Sequence, residues 1–109
     1  MRDILHRVVE LPCPVEEAWD HVLDPSWLGD DGEVDVHEGG EGWVRDGDDT
    51  KFLLVEEVID EERFVYRWAS FVDEPSRVEI EFSPISEGTR IEIIESPLQA
   101  SMRASLALR

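Results

Sequence analysis

The 109-residue chain is expected to fold as a single α+β domain. In it an antiparallel sheet of about seven strands packs on a short N-terminal helix pair and a short C-terminal helix. Three observations predict this. Only one stretch before the C-terminus, Leu11 to Leu28, carries helical periodicity, and the chain beyond it alternates with period two. Every junction between the strand-like segments is too short for a parallel crossover, so neighbouring strands must run antiparallel. The strands also present one charged face, so the opposite face needs a cover, and the helices are the only elements available to supply it.

Residues 3 to 11, DILHRVVEL, are rich in β-branched and long apolar side chains and end at Pro12, which marks a first strand. In LPCPVEEAWDHVLDPSWL, Val15, Ala18, Trp19 and Val22 fall at i, i+3, i+4 and i+7 and form one apolar stripe. Pro14 suits a first helical turn, and Asp24-Pro25 stops the helix before a second turn at Ser26 to Gly29. Glu33 to His37 alternates, Gly39-Gly40 supplies a turn into Trp43-Val44-Arg45, and Asp46 to Asp49 turns again into a longer strand, Thr50 to Ile59. Phe64 to Phe71 places Phe64, Tyr66 and Trp68 on one face and Arg67 on the other. In Arg77 to Phe82, Val78, Ile80 and Phe82 alternate with Arg77, Glu79 and Glu81. Thr89 to Glu95 puts Ile91 and Ile93 inward with Arg90 and Glu92 outward, so Arg and Glu pairs are expected to lace the wet face across strands. Isolated pairs of this kind contribute little. Pro97 ends the sheet, and Leu98, Met102 and Leu106 at i, i+4 and i+8 mark a short final helix.

Composition narrows the function classes. With 27 acidic against 10 basic residues the formal charge is −17, a field that repels phosphate backbones and anionic membranes, so nucleic acid is not expected as a partner. Such acidity serves solubility in the first instance and a basic protein partner in the second. No apolar run approaches the roughly 20 residues needed to span a bilayer, so no membrane insertion is expected. MRDILHRVVEL lacks the pattern of a secretory signal, and the single cysteine, Cys13, forms no internal disulfide; both agree with a cytoplasmic location.

The order of elements, the PVEEAWDHVLDPSWL passage, the GG of VHEGGEGW, the EVIDEERFVYRW segment and the closing VEIEFSPISEGTRIEI pair together resemble the START/Bet v 1-like (SRPBCC) superfamily. Within it they resemble most the group related to the activator of Hsp90 ATPase, the AHSA1-like family. The likeness runs from about Asp3 to Glu95. It implies a helix-grip fold, in which a bent antiparallel sheet wraps a C-terminal helix and leaves an apolar cavity for lipids, polyketides or other hydrophobic small molecules. The family's C-terminal helix is usually longer than the dozen residues that follow Pro97 here, so the lid would leave the cavity open or be completed by a partner subunit.

The resemblance makes Trp19, Trp43, Tyr66, Trp68 and Phe82, with Met102 from the final helix, the candidate ligand-binding residues. Aromatic side chains supply large apolar contact with polar handles at Tyr and Trp, although the same residues serve plain cores. No catalytic residue and no cofactor is assigned. His6, His21 and His37 lack ligand spacing, the acidic turns lack the ordered oxygens of a calcium loop, and no metal site is assigned. Cys13 has no base partner in sequence, and Gly39, Gly40 and Gly42 precede a strand rather than a helix, which argues against a phosphate cradle. The first functional expectation is binding of a hydrophobic small molecule, lipid-like or aromatic, between the sheet and the C-terminal helix. The alternatives are a co-chaperone-like interaction module working through the acidic surface on a protein partner or in a homodimer, and an enzyme of the polyketide cyclase or dehydratase type.

Overall fold

A computed structural model describes residues 4–24, 29–70 and 74–98. The order is β1 (Leu5–Leu11), α1 (Val15–Leu23), β2 (Asp31–Val34), β3 (Glu41–Asp46), β4 (Asp49–Ile59), β5 (Arg63–Ala69), β6 (Ser76–Ile85) and β7 (Gly88–Pro97). The strands form one bent antiparallel sheet in the order β1-β7-β6-β5-β4-β3-β2. A meander from β2 to β7 is completed by β1, which returns to pair with β7. Of the expected helix pair, one member is present among the described residues; the second turn at Ser26, like the final helix with Met102, lies outside them. No helix among the described residues is long and apolar enough to cross a membrane.

α1 begins where Pro14 adopts an extended conformation and offers its carbonyl to the amides of Glu17 and Ala18, at 3.1 and 3.0 Å. Nine residues are too few for a stable isolated helix, so its burial must hold it. Ala18, Trp19 and Val22 are buried, and the Trp19 ring meets Phe82 edge-on at 5.1 Å. Each large apolar side chain buried in this way contributes about 1.5–3 kcal/mol. The helix therefore lies on β6 and β7, over the end of the sheet that carries Phe82 and Ile91.

The inner face of the sheet is the core: Val44, Leu53, Val55, Phe64, Tyr66, Val78, Ile80, Phe82 and Ile91. Its register is reset once, at a β-bulge between Val55 and Glu57. Val55 pairs with Tyr66 and Glu57 with Val65, so Glu56 is the extra residue. Two consecutive glutamates then share the outer face, and Val58 returns inward opposite Phe64.

That outer face carries the expected Arg and Glu lacing, joined into one network rather than isolated pairs. Arg63 meets Glu57, Glu79 and Glu81 at 2.7, 3.1 and 2.5 Å. Glu56 receives Arg67 at 2.8 Å and Arg77 at 2.7 Å, and Arg77 also reaches Glu79. Val65, between Glu57 and Glu79 in the middle of this ring, is 0% exposed. Burial raises the Glu56 carboxyl, but hydrogen bonds from Arg67 and Arg77 outweigh it and hold the group below its ordinary 4.5. Its contribution to stability is thus complete above that value and is lost as pH falls through the lower folded value. Because protonation elsewhere relieves repulsion among the 27 acidic residues, the comparison with Glu56→Gln isolates the effect. The stability advantage of the wild type over this variant should shrink as urea melts are taken from pH 6 to pH 3; a constant difference would contradict the network.

Candidate functional site

On the inner face, register brings together side chains that are distant in sequence. Trp68 pairs with Ser76, which pairs with Pro97, and in the next row Tyr66 pairs with Val78, which pairs with Glu95. The result is an aromatic row, Phe64, Tyr66 and Trp68, with ring centroids 5.3 and 5.6 Å apart, ending in a polar group. The Trp68 indole N–H donates to Ser76 Oγ at 2.9 Å and to Glu95 Oε2 at 3.0 Å. The Ser76 hydroxyl donates to the same carboxylate oxygen at 2.5 Å. Lys51 Nζ stands 4.1 Å from the centre of the Trp68 ring, a cation–π contact. Lys51, Trp68, Ser70, Glu74, Ser76 and Glu95 surround a recess of about 10 Å³, on the order of one water-sized sphere.

Tyr66 is 1% exposed. Burial, reinforced by the charge on Glu95, pushes its phenol well above the ordinary 10.0. The folded state therefore keeps the neutral phenol, and the resulting stability, complete below pH 10, is lost progressively as pH rises from the ordinary value toward the raised folded one. Because Tyr66 is the sole tyrosine, phenolate absorbance should rise together with loss of near-ultraviolet circular dichroism. A phenolate that forms near pH 10 with the aromatic dichroism intact would contradict this burial.

The aromatic residues expected around one cavity divide between the two faces. Tyr66 and Phe82 are buried on the inner face with Trp19 against them, and Trp68 is partly buried at its far end. Trp43 does not join them. It pairs with Phe52 and Glu33, whereas its neighbour Val44 is buried in the core, so the Trp43 ring projects from the outer face. Both residues are apolar, and the pairing of Gly42 with Leu53 turns Val44 inward. Met102 lies outside the described residues. Ser76, Glu95 and Lys51 are not among the sequence candidates, although parity points to two of them. Ser76 lies two before Val78 and Glu95 two after Ile93, each on the inward side of its strand.

The remaining candidates keep ordinary roles. His6 bonds Glu92 at 2.6 Å and His37 bonds Asp35 at 2.9 Å, both exposed. Cys13 is a free thiol, and its carbonyl accepts the Thr89 hydroxyl at 2.8 Å. Among the described residues no group of three or more His, Cys, Asp or Glu is placed to hold a metal ion.

Residues 12–106 match the family model of activator of Hsp90 ATPase homolog 1-like proteins. The chain belongs to this family. The AHSA1-like domain also aligns with solved structures of the same fold. DynU16, a protein of the dynemicin biosynthetic locus, is 26% identical with a TM-score of 0.77; the match covers 89% of this chain but 38% of that one. PFC0360w, an Hsp90 activator from Plasmodium falciparum, is 20% identical with a TM-score of 0.71, covering 86% and 72% of the two chains. NE0264 from Nitrosomonas europaea is 23% identical with a TM-score of 0.71, covering 96% and 84%. No curated protein matches this AHSA1-like chain at a significant level.

Proposed function

We propose that the domain binds a hydrophobic small molecule, lipid-like or aromatic, between the inner face of the sheet and the C-terminal helix. Trp19, Tyr66, Trp68 and Phe82 would supply the apolar walls, with Met102 from the final helix. The observation that supports this reading is the aromatic row that ends in the hydrogen-bonded Trp68, Ser76 and Glu95. A half-buried indole N–H needs one acceptor in any core, but here Ser76 and a carboxylate converge on it beside Lys51, and a binding site uses a few such polar groups to orient an apolar ligand. Around that end one cation, Lys51, stands with two carboxylates, Glu74 and Glu95. The preferred ligand is therefore neutral or cationic and carries a hydrogen-bond donor, and a fatty acid should bind more weakly than the matching fatty alcohol.

Native mass spectrometry and tryptophan quenching with paired long-chain alcohols and acids, and with flavonoid-like aromatics, test this. Binding is expected for the alcohol or the aromatic, weakened by about tenfold or more in Trp68→Leu and shifted toward the acid in Glu95→Gln. Failure of every compound to bind would sink the proposal.

A further inference from the structure

The outer face of β2, β3 and β4 differs from the charged network beside it. Register sets Trp43 next to Phe52 in one row, with Glu33 at its end, and Leu54 next to Glu41 in the adjoining row. Phe52 is 55% and Leu54 42% exposed. An open groove of about 440 Å³ runs beside Trp43, Phe52 and Leu54. A second, of about 490 Å³, lies on the other side of Trp43 among Glu33, Asp35 and Glu41. Trp43 is a ridge between an apolar furrow and an acidic one, and the Arg45 guanidinium lies over its ring, 5.5 Å from the centroid.

The carboxylates here are not neutralised. On β4 to β6 the arginines are bound by glutamates, but among the described residues Glu33 and Glu41 make no ion pair, and Asp35 meets only His37. Arg45 over Trp43 and Arg67 opposite Leu54 are the cations of this face, but Arg67 is already held by Glu56. Exposed apolar residues rimmed mainly by carboxylates mark a recognition surface. At −17 per chain, a second copy, an acidic partner or a phosphate backbone would be repelled. From this juxtaposition we infer that the outer face of β2 to β4 is a docking surface for a basic amphipathic segment of a protein partner. Its apolar side chains fill the furrow between Trp43, Phe52 and Leu54, and its lysines or arginines face Glu33, Asp35 and Glu41. Among the described residues β2 is the last strand of the sheet, so no further described strand borders this face beyond it.

The test uses three labelled amphipathic peptides, of leucine with lysine, of serine with lysine at matched charge, and of leucine with glutamate, read by fluorescence anisotropy. The leucine–lysine peptide should bind, and the serine–lysine peptide should bind about tenfold or more weakly because charge alone does not fill the furrow. The leucine–glutamate peptide should not bind. Phe52→Ser with Leu54→Ser should weaken the leucine–lysine peptide by about tenfold or more, and Glu33→Gln with Glu41→Gln should flatten its dependence on salt. All four positions are exposed or partly so, and equal melting temperatures will confirm intact folding. Equal binding of the two lysine peptides, or unchanged binding in both double variants, would overturn the inference. So would self-association of the wild type that Phe52→Ser abolishes, because the occupant would then be a second copy. Small-molecule binding on the inner face should be indifferent to all four substitutions.

Discussion

Phe82→Ala is expected to lower the free energy of unfolding by about 3–5 kcal/mol, the range for removing a buried phenylalanine. Phe82 is 6% exposed, lies opposite Ile91 on β7 and is the ring against which Trp19 stands edge-on. Deleting it opens a cavity between β6 and α1 and removes the aromatic contact that holds the helix, which nine residues cannot maintain alone. The loss is a large share of the roughly 5–15 kcal/mol that keeps a domain folded. Urea unfolding followed by tryptophan fluorescence will measure it, and the Trp19 emission of the folded variant should shift toward that of a solvated indole. A loss under about 1 kcal/mol would mean that α1 is held by something other than this contact.

Gly88→Val should be almost as damaging. Gly88 has φ 150°, a conformation that side chains rarely adopt, and a Cβ there would lie 2.0 Å from the Leu11 carbonyl oxygen and 3.0 Å from the Cys13 amide nitrogen. The neighbouring chain cannot retreat, because Leu11 pairs with Thr89 in the β1–β7 ladder and the Thr89 hydroxyl holds the Cys13 carbonyl. Backbone strain alone is on the order of 1–3 kcal/mol, and the clash adds to it, so a loss of about 3 kcal/mol or more is expected. Gly47, at φ 63° with open space around its Cβ position, is the control. Gly47→Asn should change stability by less than about 1 kcal/mol, since asparagine tolerates the left-handed region. Thermal melts of the two variants side by side separate steric exclusion from a general intolerance of turn substitutions.

Period-two alternation was enough to place the strands, because one face of this sheet is charged and the other apolar. Val78, Ile80 and Phe82 against Arg77, Glu79 and Glu81 leave no second register that buries the same atoms. The i, i+3, i+4, i+7 stripe in α1 was equally unambiguous. The bulge at Glu56 was not, since VEEV keeps its valines on one face only when an extra residue is inserted, and nothing local distinguishes that from a break in the pattern. Trp43-Val44 offers two adjacent apolar side chains, so its inward member depends on pairing with β2 and β4, a long-range fact. Ser76 and Glu95 were readable by parity but sit where strands were expected to start or stop. A polar residue at a strand end carries no signal until the opposite strand supplies its partner. The site thus emerges from three strand ends that meet only through register, whereas the core is written within each strand.

In the proposed binding mode, ligand enters the inner face, at the aromatic row, and not the outer groove. Titration of 15N-labelled protein with a long-chain alcohol or a flavonoid-like aromatic, with the indole N–H resonances of the four tryptophans observed by NMR, tests it most directly. The Trp68 indole, bonded to Ser76 and Glu95, should shift most, that of Trp19 should shift less, and that of Trp43 on the opposite face should stay in place. Shifts confined to Trp43, or four unmoved indoles at saturating ligand, would contradict this mode of binding.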